Sequence, residues 1–320
     1  MTMLVLDERE TREALPFPEL IRAVEAMFAG ECVVPLRHHH AMEVPGEAPA
    51  TMLLMPAWQP GGFAGVKILN LFPDNHRRAL PTIIGRYLLS SGTTGEMLAL
   101  IEGGELTARR TAATSALAAR FLSHPQASHM LMVGTGRLSL NLIAAHAALR
   151  PLRQISVWGR DRAKAEATAE EARRAGFDAL AVDDLETACR NADIISCATL
   201  ASEPLVRGAW LKPGAHLDLV GAFTPRMRES DDEAVRRARI FVDTRAGALH
   251  EGGDLVQPLD AGVITTADIH ADLFDLTTGR HPGRRQADEI TLFKSVGAAL
   301  EDLAGAILAY ETAQRAKAGG

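Results

Sequence analysis

The run His129-Met130-Leu131-Met132-Val133 passes directly into Gly134-Thr135-Gly136-Arg137-Leu138-Ser139. An apolar strand that enters a glycine turn and then a helix constrains the fold more than any other feature of the chain. Glycines let a backbone approach a pyrophosphate closely, and the first amides of a helix offer unpaired N–H groups and a positive dipole end. A lone G-x-G-x-x-G pattern is weakly diagnostic, and Ser139 holds the third glycine place. The surroundings strengthen it. Residues 128–244 alternate strand patterns at 129–133, 154–159, 179–182, 193–198, 216–220 and 239–243 with helical patterns at 137–149, 161–175, 184–190 and 230–238. Strands such as Ile194-Ile195-Ser196-Cys197 are apolar without alternation, as expected when both faces of a parallel sheet are covered. The pattern predicts an α/β fold with a Rossmann-type, doubly wound parallel sheet over 126–292.

The glycine turn falls near mid-chain, so another domain precedes it. A helix is expected at 17–28, followed by extended pieces at 33–44, 50–55, 63–70, 83–90 and 97–102 that suit antiparallel strands. A helix over 107–122 leads into the central domain. Residues 293–316 read as one long alanine-rich helix with an apolar stripe of Leu300, Leu303, Ile307 and Tyr310. Packed back on the N-terminal part, it makes residues 1–125 with 293–320 a discontinuous α+β domain. Residues 316–320 are expected to fray.

With 320 residues, 47% hydrophobic and 23% charged, the composition is that of an ordinary globular protein. A net charge of −6 without a basic block argues against nucleic acid as a partner. No uncharged apolar stretch is long enough to span a bilayer, and residues 1–10 lack the apolar core of a secretory leader. Cys32, Cys189 and Cys197 show no paired spacing, which suits reduced thiols in the cytoplasm. Metal is not expected: His38-His39-His40 are adjacent, and neighbouring residues of a strand point to opposite faces. Asp161 reads as a helix N-cap, Gly176 as a C-cap and Asp231-Asp232-Glu233 as a helix start. His250-Glu251-Gly252-Gly253-Asp254 reads as a glycine-capped helix end, and His281-Pro282-Gly283-Arg284-Arg285 as a surface turn. Asp288 and Glu289 are expected either to orient the segment that follows or to cap its helix.

The second strand of the central domain ends Trp158-Gly159-Arg160-Asp161. Folds that prefer NADH place an acid there, on the ribose 2′-hydroxyl. Gly159 holds that place and Arg160 follows, and a guanidinium pairs with a 2′-phosphate. NADPH is therefore expected over NADH.

Several motifs, in order along nearly the whole chain, identify a resemblance. They are Lys67-Ile68-Leu69-Asn70, Pro81-Thr82, Thr107-Ala108-Arg109-Arg110-Thr111-Ala112-Ala113-Thr114-Ser115-Ala116, Val133-Gly134-Thr135-Gly136, Gly221–Glu229 and Phe293-Lys294-Ser295-Val296-Gly297. The chain resembles the ornithine cyclodeaminase/mu-crystallin family. The resemblance implies a homodimer built through the N-terminal domain, a nicotinamide dinucleotide in the central one, and a small amino or imino acid as substrate. It places Arg37, Lys67 and Arg110 around the substrate carboxylate and the nicotinamide, and Val296 beside the substrate; Lys67 can also serve as the catalytic proton donor if neighbouring cations lower its pKa, and Phe223 would give the substrate an apolar face. Its implied cofactor contacts are Thr82, Arg110, Thr111, Gly134, Thr135, Gly136, Arg137, Leu138, Arg160, Thr199, Val220 and Ser295. Charge chemistry agrees, since a carboxylate shielded from water needs cationic partners.

Departures from the family's cyclodeaminases narrow the reaction. Those enzymes carry acids where this chain has Phe223 and Leu53. A phenylalanine neither pairs with an ammonium nor takes a proton, so ornithine cyclodeamination is disfavoured and no acid awaits a distal amine. Reduction of a flat cyclic imine fits: Δ1-pyrroline-2-carboxylate or Δ1-piperideine-2-carboxylate, giving L-proline or L-pipecolate. The alternatives are an ornithine cyclodeaminase or alanine-dehydrogenase-like amino-acid oxidoreductase and, from another class, a non-catalytic, NADPH-binding crystallin-like protein.

Overall fold

The computed structural model describes residues 3–318. It divides into two compact units, Met1–Thr111 with Ala298–Gly320, and Ala112–Gly297. The first boundary falls inside a helix, after 111, and the second after 297, between the last strand and the last helix.

Unit 1 begins with β1 (Leu4–Leu6), α1 (Glu8–Ala14) and α2 (Phe17–Ala29). Strands β2 (His38–Met42), β3 (Ala50–Trp58), β4 (Phe63–Leu71), β5 (Ile83–Ser91) and β6 (Met97–Glu102) follow, and then α3 (Gly103–Leu122), which carries the division. The strands order as β1-β6-β5-β4-β3-β2, antiparallel except for β1 beside β6. In β5 the buried Gly85, Tyr87 and Leu89 alternate with the exposed Ile84 and Arg86 and the half-buried Leu88, so one face of the sheet is covered. The cover includes the last helix, α11 (Ala299–Ala318), which packs on β3, β4 and α2. Helix α2 buries Leu20, Ile21, Val24 and Phe28, the spacing of an amphipathic helix.

Unit 2 is an eight-stranded, wholly parallel sheet. Its elements are β7 (His129–Val133), α4 (Leu138–Ala147), β8 (Gln154–Trp158), α5 (Arg162–Arg174), β9 (Ala179–Ala181), α6 (Leu185–Asn191), β10 (Ile194–Cys197), β11 (His216–Leu219), α7 (Asp232–Arg237), β12 (Arg239–Val242), α8 (Arg245–Glu251), α9 (Gly253–Asp260), β13 (Ile269–Asp272), α10 (Leu273–Thr277) and β14 (Thr291–Lys294). The order β13-β12-β14-β11-β10-β7-β8-β9 reverses its chain direction between β7 and β10. In such sheets ligands bind at the carboxyl ends of the strands flanking that point. Leu131, Val133, Ile195, Leu217, Leu219 and Leu292 are buried in its core.

Six strands were expected in this sheet and eight are found. The segment read as the start of the C-terminal helix is β14, hydrogen-bonded between β11 and β12, and the helix begins only at Ala299. Asp288 and Glu289 therefore precede a strand and cap no helix; Glu289 accepts the Arg285 N–H at 2.7 Å. Gly252 ends α8 with φ −78, so no left-handed cap forms, and α9 starts at the next residue. Arg284 is half-buried and donates to the Leu122 carbonyl at 2.7 Å, so the 281–285 turn is tied inward. Asp161 caps α5 and Asp231 caps α7 as expected. Of residues 316–320, those up to Ala318 are helical, and 319–320 lie outside the described residues.

Candidate active site

Lys67 occupies the middle of β4, with Met55 of β3 and Tyr87 of β5 as its cross-strand neighbours. Side-chain alternation puts Leu53, Leu69 and Gly85 on the same face. The Lys67 side chain is 1% exposed; its Nζ lies 2.6 Å from Asp302 Oδ2 and donates to Thr107 Oγ1 at 3.4 Å. Arg110 lies one helical turn past Thr107 on α3. Its Nε donates to Asp302 Oδ1 at 2.8 Å and its Nη1 to Glu301 Oε2 at 2.5 Å. Asp302 thus bridges both cations from the first turn of α11.

Burial pushes the Lys67 ammonium down to about 8, and Arg110 and Arg37 add to the shift while Asp302 opposes it. Burial alone would raise the Asp302 carboxyl, but Arg110 and Lys67 outweigh it and hold the group below the ordinary value. Arg110 is penalised by burial, yet Asp302 and Glu301 keep it firmly protonated. Arg37, half-buried just ahead of β2, is close enough for its charge to be felt at Lys67. Unit 1 therefore brings Lys67 and Arg110 together, with Arg37 in electrostatic reach. Thr111 follows Arg110 and is half-buried, and Thr82 is exposed in the loop before β5, where its carbonyl accepts from Phe72 N.

The cation cluster is not bare. Sequence reasoning missed Glu301 and Asp302, which supply its counter-charges. A signal was present: two adjacent acids sit between Leu300 and Leu303 of the apolar stripe, and acids are seldom buried without partners.

In unit 2, Gly134 has φ +122, and a Cβ there would lie 2.6 Å from the Ala198 carbonyl oxygen. Only glycine fits. Ser139, in the third glycine place, is buried and donates to the Gly134 carbonyl at 3.0 Å, so its hydroxyl closes the turn. At the start of α4, Arg137 gives no side-chain cap. Space beside Gly136 is open, and a helix N-terminus without a side-chain cap suits a phosphate. Leu138 opens that helix. Thr135 packs tightly on the end of β8, where a Cβ on Gly159 would meet its Cγ2 at 2.6 Å. Arg160 is exposed and has no ionic or hydrogen-bonding partner among the described residues. Thr199, Val220 and Ser295 follow the ends of β10, β11 and β14, so with Gly134 they line the carboxyl edge of four consecutive strands. Ser295 is buried and its Oγ has no partner among the described residues. Val296 donates its N–H to Asp243 Oδ2 at 2.7 Å. Phe223, beyond β11, is 41% exposed. The described residues hold no cluster of three side chains able to ligate a metal, and His38, His39 and His40 are exposed on the edge strand β2. No described helix is long and apolar enough to cross a membrane.

The ornithine cyclodeaminase/mu-crystallin family model matches residues 2–317, and the chain belongs to that family. A Δ1-pyrroline-2-carboxylate reductase of Paracoccus denitrificans is 39% identical over 259 residues, covering 81% of this chain and 82% of its own. The solved Δ1-pyrroline-2-carboxylate reductase of Thermococcus litoralis, in complex with NADH and L-proline, is 34% identical and superposes with a TM-score of 0.91 over 98% of both chains. An archaeal alanine dehydrogenase dimer with bound NAD is 28% identical, with a TM-score of 0.90 over 99% of this chain and 98% of its own.

Proposed function

We propose that this chain is a nicotinamide-dependent reductase that converts Δ1-pyrroline-2-carboxylate, and the six-membered Δ1-piperideine-2-carboxylate, to L-proline and L-pipecolate. The reductases of P. denitrificans and T. litoralis support the reaction class. The observation that carries it is the buried Lys67 ammonium, held at about 8 beside Asp302. An acid of that strength is charged at neutral pH and gives up its proton readily. Reduction of C=N adds a hydride at C2 and a proton at nitrogen; a bound reduced nicotinamide supplies the former. Lys67 delivers the latter from Nζ. Arg37 and Arg110 hold the carboxylate, and Phe223 and Val296 offer the ring apolar surface without an acid for a distal amine.

The turn Gly134–Leu138 takes the pyrophosphate. Thr82, Arg110, Thr111, Thr199, Val220 and Ser295 complete the dinucleotide contacts. Arg160, unpaired at the end of β8, favours NADPH, although the two solved relatives carry NADH and NAD. The protein acts in the cytoplasm as a homodimer formed through unit 1; the dimeric alanine dehydrogenase supports the assembly. Nucleotide oxidation is measured with both cyclic imines, with ornithine, and with pyruvate plus ammonia. Turnover of the imines is expected; turnover of ornithine alone overturns the reading, pyruvate with ammonia as the better substrate favours the alanine-dehydrogenase reaction, and nucleotide binding without turnover points to a crystallin-like role. Arg160→Ala should raise KM for NADPH about tenfold and leave that for NADH unchanged.

A further inference from the structure

One carboxylate in unit 2 gathers donors from two strand ends. Glu229, fully buried in the segment between β11 and α7, accepts from Thr199 N at 2.7 Å and Thr199 Oγ1 at 2.8 Å through Oε1. Through Oε2 it accepts from Gly221 N at 2.7 Å and Ala222 N at 3.3 Å. The fit leaves no slack: a Cβ on Gly221 would lie 2.2 Å from the Thr199 carbonyl oxygen and 2.4 Å from Glu229 Oε1. Glu229 is itself fixed, because Asp254 Oδ1 accepts from Glu229 N at 2.8 Å and from Ser230 N at 3.0 Å. Lys294 Nζ of β14 stands 3.3 Å from Asp254 Oδ2. Segments that leave neighbouring strands of a sheet have no backbone ladder to hold them, so their amides need another acceptor. Here one side chain serves both. Beyond the held Thr199, the side chain of Leu200 is 76% exposed.

We infer that Glu229 is a positioning residue that locks the segments after β10 and β11 into the shape that receives the dinucleotide. The inference rests on the reading of Thr199 and Val220 as nucleotide contacts. Glu229 touches neither nucleotide nor substrate; it acts through the backbone of residues 199 and 221–222. An anionic carboxylate suits this task because it presents acceptors alone. A glutamine offers one acceptor oxygen and one NH2, and the NH2 opposes a backbone N–H. The anion is costly: burial first and the Asp254 charge second push the Glu229 carboxyl up to about 7, against Lys294 and the Thr199 bonds. Above that value the group is a carboxylate and presents acceptors alone to the four donors.

Backbone hydrogen exchange, measured without nucleotide, tests the clamp directly. In the wild-type protein the amides of Thr199, Gly221 and Ala222 should exchange as slowly as those inside β10 and β11. In Glu229→Gln they should exchange at least about tenfold faster. The same variant should raise KM for the nucleotide about tenfold and hold kcat at saturating nucleotide within about twofold, a split that mere loss of folded protein does not produce. Glu229→Asp, with the charge on a shorter arm, carries the same readouts if the glutamine variant does not fold. Wild-type exchange at Thr199 and Gly221 as fast as at Leu200 overturns the inference, as does faster exchange in the variant with an unchanged KM. A wild-type chain that binds no nucleotide would remove the functional reading, and the exchange rates would still decide whether Glu229 holds the two segments.

Discussion

In its candidate site unit 1 buries two cations against two anions, Lys67 and Arg110 against Asp302 and Glu301. Unit 2 buries the carboxyls of Glu229, Asp254 and Asp243 around a single ammonium, Lys294. The first cluster balances, and Asp302 stays ionised below its ordinary value. The second does not, and burial raises both Glu229 and Asp243. Their pH dependences have opposite signs. Lys67 falls from its ordinary 10.5 to about 8. The unfolded chain therefore binds more protons in that window, so this stabilisation grows as pH rises toward 10.5 and is lost as pH falls through 8. Glu229 climbs from 4.5 to about 7. The folded chain then binds more protons, so its contribution is complete below 4.5 and is lost as pH rises through 7.

The largest expected effect comes from unit 1. Lys67→Met keeps an unbranched side chain one atom shorter and removes the proton, and kcat should fall by about three orders of magnitude. Nucleotide affinity, followed by fluorescence titration, should change by less than about twofold because the glycine turn is untouched. A loss of tenfold or less would make Lys67 a packing residue. Asp302→Asn comes next. It turns the balanced cluster cationic and removes the charge that holds Lys67 up, so the ammonium drops further. The alkaline limb of the pH–rate profile should move below 8, with kcat lower by about tenfold at pH 8 and less at pH 6.5. Breaking a buried pair also costs about 3–5 kcal/mol of stability, seen in urea melts. An alkaline limb that stays in place would break the comparison, since Asp302 would then not govern Lys67.

The fold was legible where period and context agree. The strand–glycine–helix run at 129–139, with the alternating strands and helices after it, pointed to the parallel sheet, and short extended pieces broken by proline and glycine pointed to the antiparallel strands of unit 1. Among the elements that escaped were β1, α1, β13 and β14; in β14, Thr291-Leu292-Phe293-Lys294 adjoins an alanine-rich helix, and a short apolar run next to a helix has no period of its own. The buried Lys294 also reads as a surface charge until its partner is known. At the site, Lys67 and Arg110 were legible through the ordered motifs, whereas Asp302 and Glu229 were not. Both act across long stretches of chain, Asp302 on residues 67 and 110 and Glu229 on residue 199, and only the folded register brings those positions together.

The smallest effect sharpens the unit 2 side. Asp254→Asn keeps the oxygen that accepts from Glu229 N and Ser230 N but removes one of the three negative charges. The Asp254 charge is the second cause, after burial, of the raised Glu229 carboxyl. Without it Glu229 should return part of the way toward its ordinary value, and the decline of melting temperature between about pH 5 and pH 7 should flatten. The melting temperature at pH 7.5 should move by only about 2–4 °C. Two changes oppose each other there: Lys294 loses a partner at 3.3 Å, while Glu229 and Asp243 keep its charge to themselves. A decline that steepens instead would mean that Asp254 stabilises Glu229 as the anion, and the excess of negative charge would not be what distinguishes the two units.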